Sequence, residues 1–138
     1  MLSIRPVLPI DEILRSNSSI ALVGFSPKTD RPSHRVGKYL MDVGYTVFPV
    51  NPGVSEVCGH TSYPNLTSIP EPIDIVDIFR RSEDVLPIVE AAISINAKVI
   101  WMQQGIVNEE AAALAEKAGL KVIMDRCIMV DHKNMGNL

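Results

Sequence analysis

Short apolar runs alternate with stretches of helical period along this chain. Pro9 opens the first of these, where Ile10, Ile13 and Leu14 give residues 10–15 one apolar face. Residues 20–23 (IALV) then read as a buried strand. After a polar loop, Val36, Tyr39, Leu40 and Val43 recur at helical spacing, with Gly44 as the expected C-cap. Residues 45–50 form the second predicted strand, closed by Asn51-Pro52-Gly53. The prolines of 54–72 predict a loop with room for one short helical turn. IDIVDIF (73–79) is the third strand. Ser82 is the expected N-cap of a helix reaching residue 95, with Glu83 and Asp84 in its first turn. KVIWM (98–102) is the fourth strand. Asn108 is expected to cap a helix through Ala118 that ends at Gly119. Residues 120–124 form the fifth strand, and 125–138 a tail with one helix.

Each strand is short and apolar on both faces, and each is separated from the next by a helix or a long connection. That pattern predicts a doubly wound α/β domain: a five-stranded parallel sheet between two helical layers. In such folds ligands bind beyond the carboxyl ends of the strands, where the strand order reverses. Five segments should meet there: Gly24-Phe25-Ser26, Val50-Asn51-Pro52, Phe79-Arg80-Arg81, Gln103-Gln104-Gly105 and Asp125-Arg126-Cys127.

The first of these loops carries the most chemistry. Gly24 lets backbone approach a ligand closely, and Asp30 or Ser33 is placed to cap the next helix, whose free N–H groups favour an anion. Lys28, Arg31 and Arg35 add positive charge. A diphosphate or a 3′-phosphate suits this loop, and a plain strand-to-helix turn with solvated charges is the competing reading. The three-glycine dinucleotide fingerprint is absent, and Asn51-Pro52 stands where an acid would hold ribose hydroxyls; both count against NAD. Arg80 is open to either phosphate binding or surface pairing, whereas Arg81 is expected simply to balance Glu83 and Asp84. Trp101 is expected in the core.

Composition narrows the function classes. The chain has 138 residues with net charge −3 and 5% aromatics, which favours neither nucleic acid nor acidic membrane surfaces. No apolar run reaches a membrane span, and Arg5, Asp11 and Glu12 interrupt any signal-peptide core, so a cytoplasmic protein with reduced thiols is expected. Cys58 and Cys127 are its only cysteines, and Cys58-Gly59-His60 lacks the paired spacing of a zinc site. Cys127, beside Arg126, is read first as a small residue at a tight turn and second as an activated thiol.

Five stretches in order, VGFSPKTDRPS, YTVFPVNP, DIVDIFRRSE, WMQQGIVNEEA and AGLKVIMDRCI, resemble the CoA-binding domain family. Its members include the first domain of the succinyl-CoA synthetase α subunit and small stand-alone bacterial CoA-binding proteins of the YccU-like type. The resemblance runs from about residue 19 to residue 132. It implies a Rossmann-like fold over 1–138 with coenzyme A as ligand. Gly24, Phe25, Ser26 and Pro27 would line the nucleotide, with Lys28, Arg31 and Ser33 near phosphates. Val50, Asn51 and Pro52 would wall the adenosine. Ile78, Phe79 and Arg80 would contact the adenine or pantetheine side, and Met102, Gln103 and Gln104 would flank the pantetheine arm. The synthetases carry a lysine after the PVNP-like turn, where Val54 and Ser55 stand here, so Lys28 or Arg31 has to take over any phosphate contact of that loop.

The synthetase reaction needs a phosphorylated histidine from a further domain. His34, His60 and His132 have no such context, and no base–nucleophile pair is evident from sequence; Ser26 and His34 make no triad. The expectation is a non-catalytic carrier, sensor or regulatory module for CoA or an acyl-CoA, as a homodimer or with a protein partner. The alternative is an enzyme acting on a CoA thioester or a nicotinamide cofactor. A thiol such as Cys127 near the CoA sulfhydryl would form a mixed disulfide. Gly24→Val is expected to block the pocket and leave the fold intact.

Overall fold

A computed structural model describes residues 9–135; Arg5 and the last residues of the tail lie outside them. The main sheet has five parallel strands in the order β2-β1-β5-β6-β7: β1 (Ser19–Val23), β2 (Thr46–Val50), β5 (Ile75–Ile78), β6 (Val99–Met102) and β7 (Lys121–Ile123). Alternation along each strand divides the core. Ala21, Val23, Val76, Ile78, Ile100 and Met102 face α3 (Val85–Ser94) and α4 (Glu109–Lys117). Ile20, Leu22, Ile75 and Trp101 face the other layer, α1 (Ile10–Ser16), α2 (Pro32–Asp42) and α5 (Ile128–Lys133). This is the predicted three-layer, doubly wound architecture.

The chain leaves β1 toward β2 on one side and resumes from β5 toward β6 and β7 on the other. The order therefore reverses between β1 and β5, which puts Gly24 and Phe79 at the switch point. At the opposite edge Asp74 joins three strands. Its Oδ2 accepts the Ser18 and Ser19 N–H groups at 2.9 and 3.3 Å, its carbonyl accepts those of Lys98 and Val99, and Oδ1 meets Lys98 Nζ at 3.3 Å. Burial raises its pKa, but those N–H bonds and Lys98 outweigh burial and leave it below the ordinary carboxylate value.

Three local expectations need correction. The 54–72 segment holds a small antiparallel hairpin, β3 (Glu56–Val57) and β4 (His60–Thr61), before a 3₁₀ turn at Leu66–Ser68. Its turn residues Cys58 and Gly59 have φ of 52° and 77°, the left-handed pair of a type I′ turn, but a two-residue strand leaves no readable alternation. Neither Asp30 nor Ser33 caps α2: Arg31 is the N-cap, without a side-chain bond, and Pro32 opens the helix. Nor does Ser82 cap α3. It starts a 3₁₀ turn, Ser82–Asp84; its Oγ accepts the Val107 N–H at 3.0 Å and its carbonyl accepts Asn108 Nδ2 at 2.9 Å. Asn108 caps α4 as expected, accepting the Ala111 N–H at 2.9 Å.

Candidate functional site

The first loop is tied to itself before any ligand arrives. Ser33, buried in the first turn of α2, accepts the Ser26 N–H on its Oγ at 3.0 Å. Ser26 Oγ accepts the Lys28 N–H at 3.1 Å, and the Arg31 N–H closes a turn on the Lys28 carbonyl at 3.1 Å. Asn51 holds the loop from the β2 side, donating Nδ2 to the Phe25 carbonyl at 3.0 Å while its Oδ1 accepts the Gly53 N–H. This fixes a cleft of about 310 Å³ at the switch point, lined by Gly24, Ser26, Lys28, Arg31, Pro32, Ser33 and Phe79. The N-terminal end of α2 bounds it, two cations line it, and no carboxylate does among the described residues. Helix dipole and side chains thus carry the same sign.

Two further clefts adjoin it. One, of about 430 Å³, shares Pro32 and Phe79 with the first and runs past Gln103, Gln104 and Cys127 under Arg35. The other, of about 240 Å³, lies toward α3 and includes Val50, Pro52, Leu66, Arg80 and Ile88. A larger hollow of about 620 Å³ sits at the opposite sheet edge, lined by Asn17, Asn96, Lys98 and Lys121, and holds none of the expected residues.

The expected residues divide by how they reach these clefts. Ser26, Lys28, Arg31, Ser33 and Phe79 line the central one, with Pro27 exposed on the same loop. Pro52 and Arg80 meet on the α3 side, and Gln104 lies on the other. Phe25, Val50, Ile78 and Met102 are core residues with at most 3% exposure, and of these four only Val50 lines one of the clefts. Phe25 packs its ring against Gly37, where a Cβ would strike it. Gln103 is buried, and its Oε1 accepts the Ile128 N–H at 3.1 Å; it positions α5. Arg81 pairs with Asp84 at 3.0 Å and Glu83 at 3.8 Å on the surface, as expected. Gly24, at φ 92°, corrects one expectation: a Cβ there would strike the Phe79 carbonyl oxygen, so Gly24→Val disturbs the β1–β5 junction as well as the pocket.

Two features escaped the sequence. Cys58 Sγ lies 3.7 Å from His34 Nε2, and His34 Nδ1 lies 2.9 Å from the Ser26 carbonyl. Only folding the hairpin back over α2 brings 58 next to 34. Asp77, in the middle of β5, is 0% exposed, and neither carboxylate oxygen has a hydrogen-bond partner among the described residues. Burial raises its pKa well above the ordinary carboxylate value. Nothing in IDIVDIF distinguishes this acid from Asp74, which is bonded three ways.

Comparison with known proteins gives one consistent result. A family model described as the CoA binding domain matches residues 18–133. The protein YneT of Bacillus subtilis (strain 168) is 46% identical over 123 residues, covering 89% of this chain and 91% of that one. A hypothetical protein from Pyrococcus horikoshii OT3 superposes with a TM-score of 0.91 at 42% identity, covering 98% of this chain and 99% of that one. The ADP-forming acetate–CoA ligase I of Archaeoglobus fulgidus is 27% identical over 119 residues, which are 79% of this chain but 17% of the ligase.

Proposed function

The chain belongs to the CoA binding domain family, and we propose that its strand-end groove binds coenzyme A, as a carrier, sensor or regulatory module without chemistry of its own on the ligand. The observation that carries this reading is the switch-point cleft, in which Lys28, Arg31 and the start of α2 converge and no carboxylate of the described residues lines the wall. Phosphate groups belong there: two cations and a helix N-terminus favour anionic charge, and one guanidinium can grip a phosphate through two bonds. The adenosine is assigned to the α3-side cleft beside Pro52 and Arg80. The pantetheine arm is assigned to the cleft running past Phe79 and Gln104. Asn51 serves by holding the loop rather than by touching ribose, consistent with a ligand other than NAD.

The test is calorimetric titration of the purified protein with CoA, NAD and ATP at one salt concentration. Saturable binding of CoA at concentrations where NAD gives no heat is expected. Equal binding of NAD, or no heat with CoA, would overturn the reading.

A further inference from the structure

The Cys58–His34 contact goes beyond ligand binding and stands independently of it. A carbonyl oxygen only accepts, so the Ser26 carbonyl at 2.9 Å fixes the proton of His34 on Nδ1. In the neutral ring Nε2 is then the lone-pair nitrogen, and 3.7 Å away is the Sγ of Cys58, exposed at the hairpin tip. The Phe25 ring packs against the imidazole in a T-shaped arrangement, with ring centroids 5.9 Å apart and planes inclined by 80°. Nucleophile, base and a third group that orients the base are the parts of an activated thiol. Cys127 lacks this setting: it is half-buried at the start of α5, and no imidazole contact accompanies it among the described residues.

We propose that Cys58 is the reactive thiol of this protein and that His34 serves it in thiol–disulfide exchange with small-molecule disulfides. His34 Nε2 takes the proton of Cys58, and the thiolate attacks one sulfur of the disulfide. A protein–S–S bond forms as the small-molecule S–S bond breaks. The departing thiolate then takes the proton from His34, so that one disulfide is exchanged for another without an outside oxidant or reductant. The type I′ turn holds Cys58 exposed to an incoming disulfide. The mixed disulfide then stands next to the residues that tie the first loop.

Glutathione disulfide is the probe, with the rate of adduct formation followed by intact mass. Cys127→Ser leaves Cys58 as the only thiol, and Cys58→Ser leaves Cys127. At pH 7 the first variant should react about tenfold faster than the second. Adding His34→Asn keeps a donor for the Ser26 carbonyl but removes the base. It should slow Cys58 about threefold at pH 7. The difference should vanish at strongly alkaline pH, where hydroxide removes the proton unaided. Faster reaction at Cys127, no change with His34→Asn, or a difference that persists at alkaline pH would each overturn the proposal. Should His34→Asn fail to fold, the rate of Cys127→Ser across pH decides instead. A simple rise with thiol ionisation alone refutes the pair, and an additional rise in the imidazole range supports it. Calorimetry with CoA on the same Cys58→Ser variant keeps this outcome separate from ligand binding.

Discussion

Asp77 makes the sharpest test of the packing argument. It is fully buried between Leu22 of β1 and Trp101 of β6, with no hydrogen-bond partner among the described residues. Replacing it by valine, which suits a strand and fits an apolar layer, should act in two parts. The first does not depend on pH: removing unpaired polar atoms from an apolar interior is worth about 1–3 kcal/mol. The second does. Below the ordinary carboxylate pKa the acid is protonated in both folded and unfolded chains, so it makes no difference to the slope. Above it the unfolded chain releases the proton and the folded chain keeps it, because burial has raised the folded pKa. Wild-type stability therefore falls by about 1.4 kcal/mol per pH unit relative to the variant, until the folded acid ionises too. Asp74 has the opposite shift, but both proteins contain it and it cancels. Urea unfolding of wild type and Asp77→Val at several pH values between 3.5 and 7 measures the gap. It should widen as pH rises. Parallel curves would mean that the carboxylate ionises normally in the folded protein, and would refute the account of its burial.

Three other outcomes follow from the geometry. Gly24→Ala puts a Cβ at a left-handed position and against the Phe79 carbonyl, so it should lower stability by about 2 kcal/mol or more, read as the urea midpoint; an unchanged midpoint would show the junction to be loose. Asn108→Ala removes the cap of α4 and the bond to the Ser82 carbonyl, and thermal unfolding should record a loss of about 1–2 kcal/mol. Arg31→Ala should weaken CoA about tenfold or more in titration, and dephospho-CoA less, if Arg31 holds the 3′-phosphate; equal losses would assign it elsewhere.

The fold was legible where burial is periodic and neighbours in sequence decide the structure. All five strands of the parallel sheet and the Asn108 cap follow from apolar runs and a local side-chain bond. The strand-end placement of the first loop followed from the same pattern. What stayed hidden depends on partners far along the chain. Ser82 has the residue type of a cap, yet it bonds to Val107 and Asn108, more than twenty residues away. Ser33 likewise turns from its own helix toward Ser26. Phe25, Val50, Ile78 and Met102 belong to the strand ends, but their side chains point into the core, because alternation decides inside from outside one residue at a time. The Cys58–His34 contact joins a hairpin too short to leave a pattern to a helix 24 residues earlier.

The bonds around Asp74 bear on how the sheet assembles. Parallel strands have no tight turn to set their alignment, and a slip of one residue would exchange the two faces of a strand. A single carboxylate that meets the starts of β1 and β6 from the start of β5 fits one alignment only. Its contribution therefore lies as much in rejecting misaligned intermediates during folding as in the energy of the finished protein. Chains lacking it would be expected to reach the native state slowly and to lose more molecules to misfolding on the way.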